Sequence, residues 1–564
     1  MTREVNMDPV MLGKGLTKLP SVLTSMGYKS LREEQKDPIN SIMSGRDTFV
    51  IIPTGGGKTL LYAASTKALG FKTIVFSPLI ALQRDQVLSL NLKGVRSGAI
   101  NSNNTDAQNS MVLNEWMQGK LDLMFVAPER IETPAFKYAM DLLKPDMVVL
   151  DEAHTMSQWA ATFRPAYKRV GEFVEKYNPK IVLALTATAT SKIVKDVQEI
   201  LGIQNGVICC NYSPRTNLKL SSSFVQSDEL YSNILKKVRA IQGSIIIYCD
   251  TVRHVEDLAV FLSNAGESVT YYHGQMSKQT DKDMNQDAFM SGRTRIIVCT
   301  GAFGMGIDKP DIRGVIHAYP PGSIEAVAQE TGRASRDGED AVCHMFYTEN
   351  GMFTQSLLCD MTNPDASVAY ACWNVLEEYK NANNEVWMTG VEISSASGVE
   401  HAASALNIFQ NLGCVDKFTP DKKVYEITVN KKSDNDLLQK TLDALIEGGR
   451  LLRTTYANNK VYETTIEYAV QKLLKSETTI KTHLNKLCKE GCIEYKPPFR
   501  GKVTKILRAP TKEDYSVIEE RRKQEQRKFK DVTAYHNTPD DKKWEFINNY
   551  FKLDSLLTDG GSNQ

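Results

Sequence analysis

Two short segments hold the residues that could do chemistry. Pro53-Thr54-Gly55-Gly56-Gly57-Lys58-Thr59 is a glycine loop ending in Lys-Thr, and Asp151-Glu152-Ala153-His154 lies farther along the chain. Gly55, Gly56 and Gly57 let backbone N–H groups approach phosphate oxygens with no Cβ in the way, and a helix start behind them adds a favourable dipole. Lys58 would reach the β- and γ-phosphates of ATP, and the Thr59 hydroxyl would ligate Mg²⁺. The strict phosphate-loop pattern has another glycine five positions before Gly57, where this chain has Ile52. Taken alone, the loop therefore also reads as a glycine-rich turn. Asp151 is expected as an inner- or outer-sphere partner of Mg²⁺, and Glu152 as the base that orients and deprotonates an attacking water. An isolated Asp-Glu pair is an ordinary helix start; beside a phosphate loop it makes a site for holding and splitting Mg-ATP.

Strands must bring these segments together. The runs Thr48-Phe49-Val50-Ile51-Ile52 and Met147-Val148-Val149-Leu150 read as buried parallel strands, so the acids emerge at a strand's carboxyl end, where open α/β sheets bind ligands. Lys58 opens a helical pattern through Leu60, Leu61 and Ala64. Residues 16–205 alternate such runs (Thr73 to Phe76, Leu121 to Val126, Ile181 to Leu185) with helical stretches. Residues 206–350 do so again (Ile245 to Tyr248, Ser268 to Tyr272, Arg295 to Cys299, Gly314 to His317). The prediction is an α/β chain with two tandem doubly wound parallel sheets. The second block has no phosphate loop, but Arg333 and Arg336 lie three apart on one helical face and could reach a γ-phosphate held by the first.

Composition fits a machine of a reducing compartment. The 564 residues suggest roughly three or four domains, and the 42% hydrophobic content is enough for real cores. Ten cysteines are scattered without a secreted framework. No signal pattern or bilayer-length apolar run is seen, so the expected location is intracellular, in cytoplasm, nucleoid or nucleus, with no membrane partner. Net charge is +1, so a surface that tracks nucleic-acid phosphates must be local.

Residues 16–350 resemble the core of the RecQ family of superfamily 2 DNA helicases, with Asp151 to His154 as the DEAH box. The resemblance implies RecA-like lobes and a set of roles. In Gly27-Tyr28-Lys29-Ser30-Leu31-Arg32-Glu33-Glu34-Gln35, Tyr28 would stack on adenine while Arg32 and Gln35 bond its edge; Leu31 replaces the usual Phe. The segments Ser77 to Gln86 and Ala127 to Arg130 resemble strand-contacting elements, and Ala184 to Thr190 the run coupling hydrolysis to lobe closure. Ser157-Gln158-Trp159-Ala160-Ala161-Thr162-Phe163-Arg164-Pro165 resembles the family's aromatic-rich loop. Trp159 and Phe163 beside Arg164 would stack unpaired bases and contact phosphate; without the resemblance they read as a core Trp and a helix-capping Phe. His154 with Gln158 would link ATP state to that loop. Thr300 to Pro310 matches a second-lobe motif, and Gln329 to Gly338 carries the coupling Gln329 and the arginine-finger candidates Arg333 and Arg336, with Ser335 where Gly is usual.

Beyond residue 350 the pattern itself must carry the reading. Residues 351–386 look like a helical linker. Two winged-helix-like α+β modules follow at 387–430 and 431–510, the first ending in a hairpin of Val415 to Phe418 with Val424 to Val429. The second would end in a hairpin of Cys492 to Tyr495 with Val503 to Leu507. From Lys496 to Lys512 there are six basic residues and no acidic one, a wing suited to phosphates. At its tip Phe499 is a strand-separating candidate with Arg500 beside it, or the hairpin is a solvated basic surface. Residues 511–564 resemble the family's helical hairpin that holds zinc, but no cysteine lies beyond Cys492. The cluster His483, Cys488 and Cys492 offers three ligands where a structural site needs four, so zinc is not expected.

The sequence thus predicts an ATP-dependent 3′–5′ DNA helicase with ATP and Mg²⁺ as cofactors, acting on single-stranded and duplex-junction DNA in replication, recombination or repair. Nothing demands more than a monomer. The alternatives are an RNA helicase or remodelling ATPase, and a non-catalytic scaffold for forked DNA.

Overall fold

The computed structural model describes residues 7–551 except 54, 79, 157–167, 211–214, 277–278, 304–308, 419–423, 456–458 and 497–500. It divides into two units, Met1–Cys359 with Lys523–Gln564, and Asp360–Arg522.

In the first unit the β-branched runs form parallel strands because both faces are covered. The first sheet contains β1 (Thr48–Ile51), β2 (Thr73–Phe76), β3 (Ser97–Ile100), β4 (Leu123–Val126), β5 (Met147–Leu150), β6 (Ile181–Thr186) and β7 (Val207–Cys210), in the order β3-β4-β2-β5-β6-β1-β7. All its pairings are parallel. Phe49 and Ile51 join one hydrophobic core and Val50 and Ile52 the other. A strand buried on both faces reads as a continuous apolar run for that reason. Strand β7 pairs with β1, so this sheet extends past residue 205, where the sequence suggested the lobe would end.

The second sheet holds β8 (Leu218–Phe224), β9 (Ser244–Tyr248), β10 (Val269–Tyr272), β11 (Ile296–Cys299), β12 (Ile312–His317) and β13 (Ala341–Tyr347), ordered β10-β11-β9-β12-β13-β8 and again all parallel. Its edge strand β8 is covered by the C-terminal helical hairpin. Trp544 Nε1 donates to Leu218 O (3.1 Å), Ser222 N donates to Asp540 Oδ1 (3.2 Å), and Val532, Tyr535, Ile547 and Phe551 enter the lobe's core. An uncovered edge would present unpaired backbone groups.

The hairpin is closed by a buried cation. Lys543 is 0% exposed, and its Nζ donates to Tyr535 O (2.8 Å), His536 O (3.2 Å) and Thr538 O (2.8 Å) around the end of helix Lys512–Asn537. All three ammonium donors are used, where the helix dipole is negative. Residues 511–551 contain no cysteine.

The second unit departs from the hairpins expected of its sequence. Strands β14 (Glu385–Val386), β15 (Val415–Phe418) and β20 (Val503–Ile506) form one sheet, and β16 (Val424–Val429), β17 (Arg450–Thr454), β18 (Lys460–Thr465) and β19 (Ile493–Lys496) another. Strand β15 pairs with β20, while β16 pairs with β18 and β19. One winged-helix-like module is therefore inserted into the wing of the other. The outer core joins Trp373, Leu406, Phe409 and Ile506, and the inner one Ile427, Leu442, Leu445 and Leu484. Each strand pairs where its apolar side chains meet a helix layer, overriding sequence adjacency. Because β19 and β20 lie in different sheets, the segment holding Phe499 and Arg500 is not the tip of a hairpin between them. Those two residues lie outside the described residues.

Lys543→Met should lower unfolding stability by on the order of 3 kcal/mol, since three carbonyls lose their donor; urea melting measures this. Acid should destabilise the second lobe. The His344 nitrogens lie 2.8 Å from Ser221 Oγ and 3.0 Å from Ser223 Oγ on β8, and burial, with Lys237 nearby, pushes its pKa down to about 3. The unfolded chain protonates this group near 6.5, so its contribution is full above that pH and falls by about 1.4 kcal/mol per unit below it. Melting temperature should drop from pH 7 to 5, less steeply in His344→Asn.

Candidate nucleotide site

The carboxyl ends of β1, β5 and β6 place the two chemical segments side by side. After β1 the chain turns through Gly55 (φ 86°) and Gly57 (φ 78°), a left-handed path that favours glycine, and Gly57 caps helix Lys58–Leu69. A Cβ on Gly57 would overlap Gln35 Nε2, and one on Gly56 would overlap Ile52 Cγ2. Ile52, where the strict pattern has glycine, fills the space under Gly56, so the departure is absorbed by packing. Thr54 lies outside the described residues.

Helix Glu33–Met43 braces this loop. Arg32 Nη1 donates to Gly55 O (2.8 Å) and Gln35 Nε2 donates to Gly56 O (2.9 Å), while Arg32 N donates to Gln35 Oε1 (3.0 Å). The two side chains expected at the adenine edge thus touch the loop's carbonyls here. Tyr28 is half-buried, and its hydroxyl accepts from Lys93 Nζ (2.7 Å).

Asp151 is buried, and Glu152 takes φ 51° directly after it, its N–H donating to Asp151 Oδ1 (3.0 Å). A non-glycine residue held in that region marks strain commonly found at active sites. Burial and the Glu152 charge push Asp151 up to about 7, against Lys58. Burial also disfavours charge on Glu152, but Lys58, His154 and Arg333 together hold its carboxyl below the usual range. Two carboxylates this close resist ionising together. A divalent cation would favour the charged form of both.

The residues fit Mg²⁺. The Tyr62 hydroxyl is fully buried beside Thr59 and Asp151, and Glu152 Oε2, buried 3.4 Å from His154 Nδ1, accepts no geometrically formed hydrogen bond among the described residues. Asp151 and Thr59 would hold the ion. Tyr62 was not apparent from the sequence, although its position one turn after Thr59 on the same helix is a usable signal.

His154 links the acids to β6. The Thr186 hydroxyl donates to Thr188 O (2.9 Å), so it must accept from His154 Nδ1–H (3.0 Å). Burial keeps this imidazole's pKa below its ordinary value despite Glu152. Trp159, Phe163, Arg164 and Gln158 lie outside the described residues.

The second lobe reaches the same loop. The Cδ and Cγ of Arg336 lie 3.5 Å from where a Cβ of Gly55 would stand. Arg333 is 4% exposed, close enough to Glu152 and Tyr248 to act on both electrostatically. Both follow helix Ile324–Thr331, which carries the half-buried Gln329. Glu330 Oε2 lies 2.8 Å from His317 Nε2 behind them.

Two family profiles match the chain, DEAD/DEAH box helicase over residues 32–197 and Helicase conserved C-terminal domain over 227–338. The probable ATP-dependent DNA helicase RecS of Bacillus subtilis is 33% identical over 70% of this chain and 79% of that protein. The chain belongs to the RecQ family of DNA helicases. The RecQ helicase of Pasteurella multocida is 35% identical over 59% of this chain, which spans 52% of that protein's length. Among solved structures, Saccharomyces cerevisiae Dbp5 bound to Gle1 aligns with a TM-score of 0.50 at 18% identity, over 63% of this chain and 91% of that one. This last likeness bears on the fold of the two RecQ-type lobes alone. No helix among the described residues is long and apolar enough to cross a membrane.

Gly57→Ala should weaken binding of a fluorescent ATP analogue by about tenfold or more, because a Cβ both strains φ 78° and displaces Gln35. Retained melting temperature would assign the loss to the loop.

Proposed function

We propose that this RecQ-family helicase hydrolyses Mg-ATP between its two lobes and uses the resulting motion to move 3′ to 5′ along single-stranded DNA, separating the duplex ahead of it. The observation that carries the reading is the close approach of Arg336 to the phosphate loop, its side chain lying where a side chain on Gly55 would meet it. A nucleotide there would be touched by both lobes, so gaining or losing its γ-phosphate changes what holds them together.

Each residue then has a task. Backbone N–H groups of Gly55, Gly56 and Gly57 with Lys58 cradle the β- and γ-phosphates, and Tyr28, Arg32 and Gln35 select adenine and brace the loop. Bound Mg²⁺, held through Thr59 and Asp151, would neutralise phosphate charge. Glu152, kept ionised by Lys58 and Arg333, takes the proton of the water attacking the γ-phosphorus as the bond to the ADP oxygen breaks. Arg333 and Arg336 offset the charge spread over the transferring phosphoryl oxygens. His154, Gln158 and Gln329 would carry the nucleotide state to Trp159, Phe163 and Arg164, which hold unpaired bases. Phe499 would separate strands, with Arg500 beside it on phosphate. The C-terminal hairpin, closed by Lys543, would need no zinc.

Displacement of a labelled strand should occur on 3′-tailed DNA and fail on 5′-tailed DNA and on an RNA duplex. Glu152→Gln should lower DNA-stimulated kcat by about a hundredfold or more while leaving ATP affinity nearly unchanged, as expected for loss of a general base. DNA-stimulated hydrolysis without strand displacement would identify a translocase that does not unwind.

A further inference from the structure

Between Arg333 and Arg336 the backbone takes an unfavourable turn. Helix Ile324–Thr331 ends at Gly332, and Ser335 then adopts φ 46°, a left-handed conformation that costs a serine roughly 1 kcal/mol or more. Something outside this segment must hold it. Arg215, on the approach to β8, reaches across: Nη1 donates to Gly332 O (3.0 Å) and Nη2 donates to both Ala334 O (2.9 Å) and Ser335 O (2.5 Å). Asn217 Nδ2 donates to Ser335 Oγ (3.2 Å) and Glu339 O (2.9 Å), and the Ser335 hydroxyl also bonds Glu339 O. From the other side Arg313 holds Asp337, its Nη1 donating to Oδ1 (3.2 Å) and its Nη2 to Oδ2 (2.5 Å).

We propose that Arg215, assisted by Asn217, is the positioning residue of the arginine-finger segment, its planar fork bridging the carbonyls of Gly332, Ala334 and Ser335 so that Arg333 and Arg336 face the phosphate loop. The inference rests on reading those two arginines as the groups that stabilise the transferring phosphoryl. A guanidinium suits the task because its donors are rigid and diverge to several acceptors, whereas an ammonium is a flexible point charge. No salt bridge of Arg215 with a carboxylate accompanies these bonds among the described residues. Its charged surroundings include Arg336 and Arg32, and with burial they hold its pKa below the usual arginine range. Arg32 donates to Gly55 O and Arg336 lies beside the same glycine, an arrangement that a bound γ-phosphate would relieve. Arg215 touches only backbone of its own lobe. It acts on the reaction through the two fingers.

The test compares Arg215→Ala, Arg215→Lys and Asn217→Ser in the full chain, each alone and combined with Arg336→Ala. The readouts are DNA-stimulated kcat, KM for ATP, and affinities for ADP and for ADP with aluminium fluoride. Arg215→Ala should lower kcat about tenfold or more and weaken aluminium-fluoride trapping in proportion, with KM and ADP affinity changed by less than about twofold, as for an interaction made only in the transition state. Arg215→Lys should keep the melting temperature closer to that of the parent without restoring kcat, and Asn217→Ser should show a smaller loss of the same kind. In the Arg336→Ala background Arg215→Ala should cost clearly less than in the parent, its remaining effect running through Arg333 alone, since groups acting as a unit are not additive. Equal proportional losses in both backgrounds, or a rise in KM with kcat unchanged, would overturn the proposal. Should Arg215→Ala fail to fold, full kcat in both milder variants would overturn it equally. If Arg336→Ala and Arg333→Ala leave kcat intact, the finger assignment itself fails, which is a separate result.

Discussion

A triphosphate is too highly charged to be held from one side by a single lysine, and the structure of the first unit follows from supplying positive charge and N–H donors from two directions. The glycine loop after β1 offers backbone N–H groups, a helix start and Lys58. The segment after helix Ile324–Thr331 offers Arg333 and Arg336 from the other lobe. The first lobe's charged loops leave the carboxyl ends of β1 and β5, whereas the segment with Arg333 and Arg336 lies between helix Ile324–Thr331 and the start of β13. Glu152, directly after β5, and Ser335, between the two arginines, both adopt positive φ without being glycine.

The acids show how burial and charge divide labour between neighbours. Asp151 and Glu152 are adjacent and enclosed, yet the first is pushed up to about 7 and the second held low. The difference comes from surroundings, since Lys58, His154 and Arg333 outweigh burial at Glu152 while burial and the Glu152 charge oppose ionisation of Asp151. A divalent cation bound there would favour the charged form of both.

Away from the nucleotide, two features organise the rest of the chain. The C-terminal hairpin is tied by Lys543 to three carbonyls and lies across the exposed edge of β8. It is part of the second lobe's core rather than a separate module. In the second unit, one winged-helix-like fold interrupts the wing of another, and the basic stretch from Lys496 to Lys512 spans the return from the inner sheet to the outer.

The sequence by itself determined the two parallel-sheet lobes, the phosphate loop and the acid pair, because these depend on local signals: continuous apolar runs, glycines that a backbone path requires, and acids at a strand end. It also marked Arg333 and Arg336, but the helical face expected to carry them is not there: helix Ile324–Thr331 ends before both, and Ser335 between them takes φ 46°. It was silent on edge strands such as β3 and β8, where half-exposed residues and Gly98 or Ser222 blur the apolar run. Only the tertiary structure decided which strands pair in the second unit, since Val424 to Val429 has the same alternation whichever neighbour it meets. Only it could reveal Arg215 and Lys543, whose partners are backbone carbonyls that no local pattern announces. Hydrogen bonds across more than a hundred residues, such as Arg215 to Gly332, exist only once the chain has closed on itself.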